Sequence, residues 1–215
     1  MSKIMCLLQM CLKPTNCGSL VYSKERIEHY VTGLSSFFKY IDLLDSNKVD
    51  VYLTDNTIAN DEELPQVILN CLPSNVTVIT CVNNNYGCIN KGAGLIEQWI
   101  FFKDTLETYD WLIHFEPRQE LINFNFITDF LQYPRNLLTI DTTGEQFNTG
   151  LFCVQTNAII KYINDTDLQN FVYNLKMSIE RHLFLFFIVN NIEYNILDKI
   201  GLLWHDYHEG IWINV

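Results

Sequence analysis

Basic residues are scarce in this chain of 215 residues. Lysine and arginine total 14 against 25 aspartates and glutamates, so the formal net charge is −11 with the histidines neutral. Proteins that coat duplex nucleic acid need clustered cations, because they must displace counterions from the phosphates. The acidic balance therefore argues against a nucleic-acid partner, while it still allows an isolated basic pocket.

Long apolar runs are also missing. The longest continuous one covers residues 183–189, far short of the roughly 20 residues that a membrane helix requires. The apolar residues 1–12 include Gln9 and have no small-residue cleavage pattern. We therefore expect neither a transmembrane segment nor a secretory signal.

Closely spaced cysteine pairs are absent as well. The chain has 7 cysteines, an odd number, and the closest spacings are Cys6/Cys11, Cys11/Cys17 and Cys81/Cys88. A structural zinc site requires a tight CxxC pair, so the sequence predicts no structural zinc site. Most of the cysteines lie in apolar runs, where they behave as small hydrophobes. We interpret them as reduced thiols, which indicates a cytoplasmic protein.

Strand and helix patterns alternate along the chain, with no repeat or linker to divide it. Residues 4–10 form a short apolar run typical of a buried strand, and apolar residues recur at helical spacing from Ile27 to Ile41, after Ser23 as a candidate cap. Further strands are predicted at 48–54, 76–82, 110–115, 137–140 and 151–154, and further helices at 65–72, 94–106, 122–131 and 178–191.

Nearly continuous apolar strands separated by helices favour one fold class. They predict a single α/β domain over residues 1–215, with a mostly parallel central sheet and helices on both faces. Ligands of such sheets bind beyond the carboxyl ends of the strands. The places to search are therefore Asp55 and the segments 83–94, 114–120 and 141–150.

Two glycines and a lysine open the predicted helix after residue 90. Asn90-Lys91-Gly92-Ala93-Gly94 places a cation at a helix N-terminus, where anions bind. Glu97 stands where a dinucleotide fingerprint needs its third glycine, and the P-loop pattern is absent. Glycines that merely let the chain turn into its helix are an equally good interpretation.

The segment 111–120 is the most informative. A buried strand carries His114 and Glu116, two residues apart and so on one face, and Arg118 follows a proline. These groups could hold a divalent cation or a diphosphate. The alternative is a simple ion pair between Glu116 and Arg118.

Polar residues later in the chain indicate a function less clearly. Glu180 opens an apolar helix, where the helix dipole alone would favour a carboxylate. His205 and His208 are spaced to ligate a metal or to lie in a polar surface turn. No Gly-x-Ser-x-Gly nucleophile elbow is present, so the sequence does not predict acyl hydrolysis.

The order of these motifs resembles that of nucleotide-sugar glycosyltransferases with the GT-A fold. The resemblance covers about residues 1–210 and is carried by VDVYLTD at 49–55, NNNYGCINKGAGL at 83–95, DWLIHFE at 110–116, NTGLF at 148–152 and SIE at 178–180. It implies a GT-A, Rossmann-like domain whose nucleotide-binding half covers about residues 1–118 and whose acceptor-binding half covers about 119–215.

The resemblance also implies roles for single residues. It places Asp55 at the nucleoside, Asn90 and Lys91 beside the nucleotide, and the turn of Asn148, Thr149 and Gly150 at the sugar. Glu180 matches the acidic residue that takes the proton of the acceptor hydroxyl in inverting enzymes, and Asp141 is a second candidate for that base.

The metal motif of the family departs from its usual form here. Where the family has Asp-x-Asp, which binds Mn²⁺ or Mg²⁺, this chain has His114-Phe115-Glu116, with His205 as the candidate third ligand. One anion in place of two lowers the expected metal affinity. Arg118 could then hold part of the diphosphate charge, so metal-independent binding stays open.

These inferences predict a cytoplasmic, hexosyltransferase-like enzyme of polysaccharide biosynthesis. It would move a sugar from a UDP- or GDP-linked donor to a glycan or glycolipid acceptor. One alternative is a transferase-like domain that binds a glycan or a partner without chemistry. Another is a metal-dependent phosphohydrolase that uses His114, Glu116, His205 and Asp206.

Overall fold

The computed structural model describes residues 2–14, 24–45, 47–58, 63–80, 84–141, 143–206 and 211–214, with the backbone alone at positions 205, 206, 211 and 212. Within these residues the strands are β1 (Ile4–Met10), β2 (Val49–Asp55), β3 (Thr77–Thr80), β4 (Trp111–Phe115), β5 (Glu120–Leu121), β6 (Leu137–Leu138), β7 (Leu151–Gln155), β8 (Asn195–Ile196), β9 (Leu202–Asp206) and β10 (Ile211–Asn214).

Helices connect most of these strands. They are α1 (Lys24–Phe38), α2 (Gln66–Leu69), α3 (Lys91–Phe101), α4 (Lys103–Leu106), α5 (Asn125–Gln132), α6 (Thr156–Asp165), α7 (Leu168–Asn170) and α8 (Ile179–Val189). A 3-10 turn at Ile41–Leu43 follows α1, and a π-helical turn at Phe171–Leu175 follows α7. No helix among these residues is long and apolar enough to cross a membrane.

The main sheet has seven strands in the order β3-β2-β1-β4-β7-β6-β8. Pairing is parallel from β3 through β4 and again between β6 and β8, whereas β7 is antiparallel to both of its neighbours. The predicted mostly parallel sheet is therefore confirmed. β7 reverses because the chain returns from β6 through a hairpin-like bridge between Ile140 and Phe147, without the crossover helix that a parallel neighbour requires.

Both faces of the main sheet are covered, as strands apolar on both sides require. Along β1, Leu8 belongs to a core with Phe37 of α1 and Phe130 of α5. Leu7, the residue before it, belongs to a second core on the opposite face of the sheet, together with Trp99 of α3. α6 and α8 complete this second core.

A small antiparallel sheet, β10-β9-β5, lies beside the main one. Its strand β5 is held by α1, because the backbone N–H of Leu121 donates to Ser36 Oγ at 2.8 Å. Gly33 makes this contact possible, since a Cβ there would lie 2.0 Å from the carbonyl oxygen of Pro117. The segment from 117 to 121 thus crosses directly over α1.

Several predicted elements differ from the observed ones. The helix predicted at 94–106 begins at Lys91 and breaks at Phe102, and the one predicted at 122–131 begins at Asn125. The polar surface turn considered for residues 204–210 is a strand as far as Asp206. α6 was not predicted, although Ile159, Tyr162 and Ile163 follow helical spacing and are buried. The candidate cap Ser23 lies outside the described residues.

Candidate functional site

A cleft of about 350 Å³ opens at the carboxyl ends of β1 and β4. Its lining includes Gln9 of β1, Lys91 of α3 and Glu116 just after β4. Thr149 and Glu180 line it from the later part of the chain. Since parallel α/β sheets bind ligands at this edge, the cleft lies where the topology leads us to expect a ligand.

Two helix N-termini meet at this cleft. Asn90 caps α3 by accepting from the Gly92 N–H at 2.8 Å, and Ser178 caps α8 by accepting from the Arg181 N–H at 3.2 Å. A Cβ on Gly92 would lie 2.9 Å from Ile179 Cβ, so glycine allows the two ends to approach this closely. Helix N-termini carry partial positive charge. Their meeting favours an anionic group in the cleft.

Glu97 holds the loop that leads into α3. Its buried carboxylate accepts from the backbone N–H groups of Asn85 at 2.8 Å, Tyr86 at 3.1 Å and Gly87 at 2.9 Å. Sequence reasoning missed this role. The available signal was a carboxylate on the inward side of an apolar helix, which needs hydrogen-bond partners when buried.

Glu116 is the centre of a three-member ion cluster. Its Oε1 lies 3.0 Å from Lys91 Nζ and 3.3 Å from Arg118 Nη2. Burial raises the pKa of Glu116, but the two cations outweigh it and hold the pKa well below its usual range. Glu116 is therefore a carboxylate, and the cluster carries one excess positive charge. The ion pair considered for Glu116 and Arg118 exists, with Lys91 as a third member.

His114 lies deeper than Glu116 and does not join this cluster. It is fully buried, with its ring stacked on Phe152 at a centroid distance of 4.6 Å and edge-on to Trp99 at 5.7 Å. Burial lowers the pKa of His114 to about 4. The strand was predicted to carry both residues on one face, but β4 ends at Phe115. Glu116 therefore follows the strand and lines the cleft, while His114 stays in the core.

The described residues do not fit the metal ion that the resemblance implies. No group of three or more histidine, cysteine, aspartate or glutamate side chains within the described ranges could hold one. Glu116 is already engaged by two cations, and His114 is enclosed by aromatic rings. The side chains of His205 and Asp206, and all of His208, lie outside the described part of the chain.

The two candidate bases have different surroundings. Glu180 lines the cleft, and its Oε1 accepts from Thr149 Oγ1 at 3.1 Å. Asp141 lies outside the cleft lining and accepts from Thr143 and Gln146 within its own turn. Desolvation raises the pKa of Asp141, but these hydrogen bonds outweigh it and lower the pKa, which weakens the group as a base. The geometry thus favours Glu180.

Two further predicted residues support backbone rather than facing the cleft. The buried Asp55 carboxylate accepts from the backbone N–H groups of Leu12, Thr57 and Ile58 and from the Thr57 hydroxyl. Burial raises the pKa of Asp55 against these four bonds. Asn148 Oδ1 accepts from the Gly150 N–H at 2.9 Å. Asp55 therefore joins the ends of β1 and β2, and Asn148 shapes the turn that presents Thr149.

Among the polar residues that line the cleft, Gln9, Asn56, Gln98 and Lys176 were not predicted as site residues. Gln9 had a visible signal, an amide near the carboxyl end of an otherwise apolar strand. Asn56 follows Asp55 directly, at the end of β2. Gln98 and Lys176 had none, because helix and loop residues far apart in sequence meet only through packing.

Comparison with known proteins supports the fold at the level of structure alone. No protein-family profile matches the sequence, and no curated protein sequence matches it either. A candidate nucleotide-diphospho-sugar transferase from Desulfovibrio desulfuricans G20 is similar in structure, with a TM-score of 0.52 and 12% identity over 92% of this chain and 80% of that chain.

A second similar structure is a cytidylyltransferase from Leptospira borgpetersenii serovar Hardjo-bovis. It has a TM-score of 0.50 and 11% identity over 81% of this chain and 69% of that chain. At such identities the likeness shows the fold and nothing finer. The chain has a single-domain α/β fold of the GT-A, Rossmann-like type, which confirms the fold class that the resemblance implies.

Proposed function

We propose that this protein is a glycosyltransferase that takes its sugar from a nucleotide-diphosphate donor. The observation that carries the proposal is the convergence of Lys91, Glu116 and Glu180 on one cleft beside two helix N-termini. Cations and helix ends suit a diphosphate leaving group, and a carboxylate suits the deprotonation of an attacking hydroxyl.

Charge balance favours a phosphate ligand. Lys91 and Lys176 line the cleft, and Arg118 contacts Glu116. Three cations therefore lie in or beside a cleft whose lining has two carboxylates, Glu116 and Glu180. This local excess of positive charge stands out in a chain with a net charge of −11. A diphosphate would bind against Lys91, Lys176 and the N-terminus of α3.

The chemical step needs a base on the acceptor side. The acceptor hydroxyl oxygen forms a bond to the anomeric carbon, and the bond from that carbon to the diphosphate breaks with its electron pair on the leaving oxygen. Glu180 takes the hydroxyl proton, and the Thr149 hydroxyl orients its carboxylate. Thr149 and Glu180 belong to the proposed acceptor-binding half, residues 119–215, and Lys91 and Glu116 to the nucleotide-binding half.

Protein cations take the place of a divalent ion in this proposal. A metal would have to displace Lys91 or Arg118 from Glu116, the single carboxylate at that position. We therefore propose that donor binding is independent of Mn²⁺ and Mg²⁺. The choice between UDP and GDP, a hexose as the sugar, a glycan or glycolipid as acceptor, and a place in cytoplasmic polysaccharide biosynthesis remain predictions from the sequence.

Ligand-induced stabilisation tests the proposal. UDP, GDP and their sugar conjugates are screened for a rise in melting temperature, with EDTA and with Mn²⁺. One of them is expected to raise it by about 5 °C at saturation in EDTA, since ligand at 100 times Kd stabilises by about 2.7 kcal/mol. Lys91→Met should abolish most of the shift, and Lys199→Met, an exposed lysine outside the cleft lining, should not.

Base variants separate a transferase from a binding domain without chemistry. Glu180→Gln should keep the thermal shift but lower turnover of the nucleotide sugar at least about 100-fold. Asp141→Asn should retain turnover. No shift with any nucleotide in either condition would overturn the proposal, and a shift that needs Mn²⁺ would overturn only its metal-independent part.

A further inference from the structure

Gln9 is a buried amide with no hydrogen-bond partner among the described residues. It is 2% exposed, and both its Nε2 and Oε1 lack a partner. It occupies the next-to-last position of β1 and lines the cleft. In the parallel register Leu8 pairs with Phe115, so the next residues along the chain, Gln9 and Glu116, both lie at the strand ends that border the cleft.

An unpaired buried amide is costly, so its presence needs a reason. Leaving a buried donor or acceptor unsatisfied costs about 1–3 kcal/mol per group, whereas an apolar side chain of the same size costs nothing of this kind. The other inward-facing residues of β1 on this side, Met5 and Leu7, are apolar. Gln9 differs from them in lying where a ligand in the cleft could pair with it.

A second buried amide, that of Gln98, lines the same cleft and is held in place by hydrogen bonds. Gln98 Nε2 donates to the Met10 carbonyl and to Asn56 Oδ1, both at 3.1 Å, and Asn56 in turn donates to the Gly94 carbonyl at 2.9 Å. These bonds orient Gln98 so that its Oε1 stays an acceptor, buried and without a partner among the described residues. Gln98 is 2% exposed and lines the same cleft.

We infer that Gln9 and Gln98 form an amide pair that binds the uncharged, hydrogen-bonding part of the donor. The inference rests on the proposed function and assigns one part of the ligand to the amides and another to the cations of the cleft. Neutral amides offer no net charge to a phosphate, which finds its cations at Lys91 and Lys176. The side-chain oxygens of Gln9 and Gln98 can accept from an N–H or O–H of the ligand, and the Gln9 NH₂ group can donate to a ligand acceptor. Such groups occur on a nucleobase, a ribose or the transferred sugar.

The substitution Gln9→Met tests this inference. Methionine has a similar volume and no polar group, so the variant without ligand should melt about 2 °C or more above the wild type. Its affinity for the nucleotide sugar should fall about 10-fold, because one or two hydrogen bonds are lost. Affinity is measured by calorimetry with UDP and UDP-glucose, or with GDP and GDP-mannose if guanine nucleotides bind. Gln132→Met, on the exposed end of α5, is the matched control.

The outcomes separate the sources of the contact. An equal loss for the free nucleotide and its sugar conjugate assigns the amide pair to the nucleoside, and a loss for the conjugate alone assigns it to the sugar. Unchanged affinity for both ligands would overturn the inference while the proposed function stands. A wild-type protein that binds none of these nucleotides would overturn the proposed function and the inference together.

Discussion

At the scale of single residues, the position of a side chain along β4 decides whether it is buried in the core or lines the cleft. His114 lies in β4 and Glu116 follows the end of that strand, so that His114 is fully buried and Glu116 contacts two cations. The low-dielectric core disfavours a charged imidazole, whereas Lys91 and Arg118 favour a charged carboxylate. Two residues of chain thus separate a neutral core group from a charged site group.

The burial of His114 predicts a specific loss of stability in acid. The unfolded chain binds a proton at His114 near the usual pKa of 6.5, and the folded state resists it down to about 4. Stability is therefore complete above pH 7 and falls as the pH drops, by about 2 kcal/mol between pH 7 and pH 5 from this group. Urea unfolding of His114→Phe should show a pH-dependent loss smaller by that amount.

Measurements at pH 8 provide the control for this variant. There His114 is neutral in both states, so any difference between the variant and the wild type reports packing, including that against Phe152 and Trp99, and no change in protonation. An identical fall in stability for both proteins between pH 7 and pH 5 would contradict the burial of a neutral His114.

At the scale of elements, the site depends on how α3 begins. The cap at Asn90, the close approach of Gly92 to Ile179 and the clamp by Glu97 all act within three turns of chain. Together they fix the N-terminus of α3 against α8 and place Lys91 over the cleft. A change to the loop before α3 should therefore alter ligand binding even though the loop residue does not contact the ligand.

Glu97→Gln tests whether Glu97 orders the loop before α3. An amide keeps one acceptor oxygen and turns an NH₂ group toward backbone donors, so the free energy of unfolding should fall by about 1–3 kcal/mol. Hydrogen exchange at the amides of Asn85, Tyr86 and Gly87 should accelerate, as measured by mass spectrometry. Glu107→Gln, an exposed carboxylate after α4, is the control. Unaltered exchange in Glu97→Gln would show that the clamp does not order the loop.

At the scale of the whole molecule, α1 connects the core to the far side of the cleft. It packs against β1 in the core, and it also contacts the segment 117–121 through Gly33 and Ser36. Arg118 lies in that segment and contacts Glu116. The position of the ion cluster therefore depends on a helix that does not line the cleft.

Gly33→Ala is expected to disturb both stability and binding. The new Cβ would lie 2.0 Å from the Pro117 carbonyl oxygen and 2.4 Å from that of Gln119, so the helix and the segment must separate. We expect a loss of about 1–3 kcal/mol in urea unfolding and weaker nucleotide binding by calorimetry. Thr32→Ala, at an exposed neighbouring position, should change stability by no more than about 0.5 kcal/mol. A Gly33→Ala variant as stable as the wild type would show that the segment 117–121 moves to accommodate the new Cβ at no cost in stability.

Local patterns predicted the elements well where one period dominates. The bounds of β1 match the prediction, because an apolar run between polar ends has one interpretation as a buried strand. α6 was missed, and so were the short strands β5, β8 and β10. β5 and β8 pair with strands distant in sequence, whereas β10 pairs with β9, the strand just before it. Short segments contain too few residues to show a period of their own.

The sequence by itself determined the fold class and the edge of the sheet where the site lies, because hydrophobic period and strand ends are local properties. Only the tertiary structure decided which polar groups meet there. Lys91 reaches Glu116, and Thr149 reaches Glu180, across stretches of chain that fold between them. Such pairings depend on packing between elements, which spacing along one element does not encode.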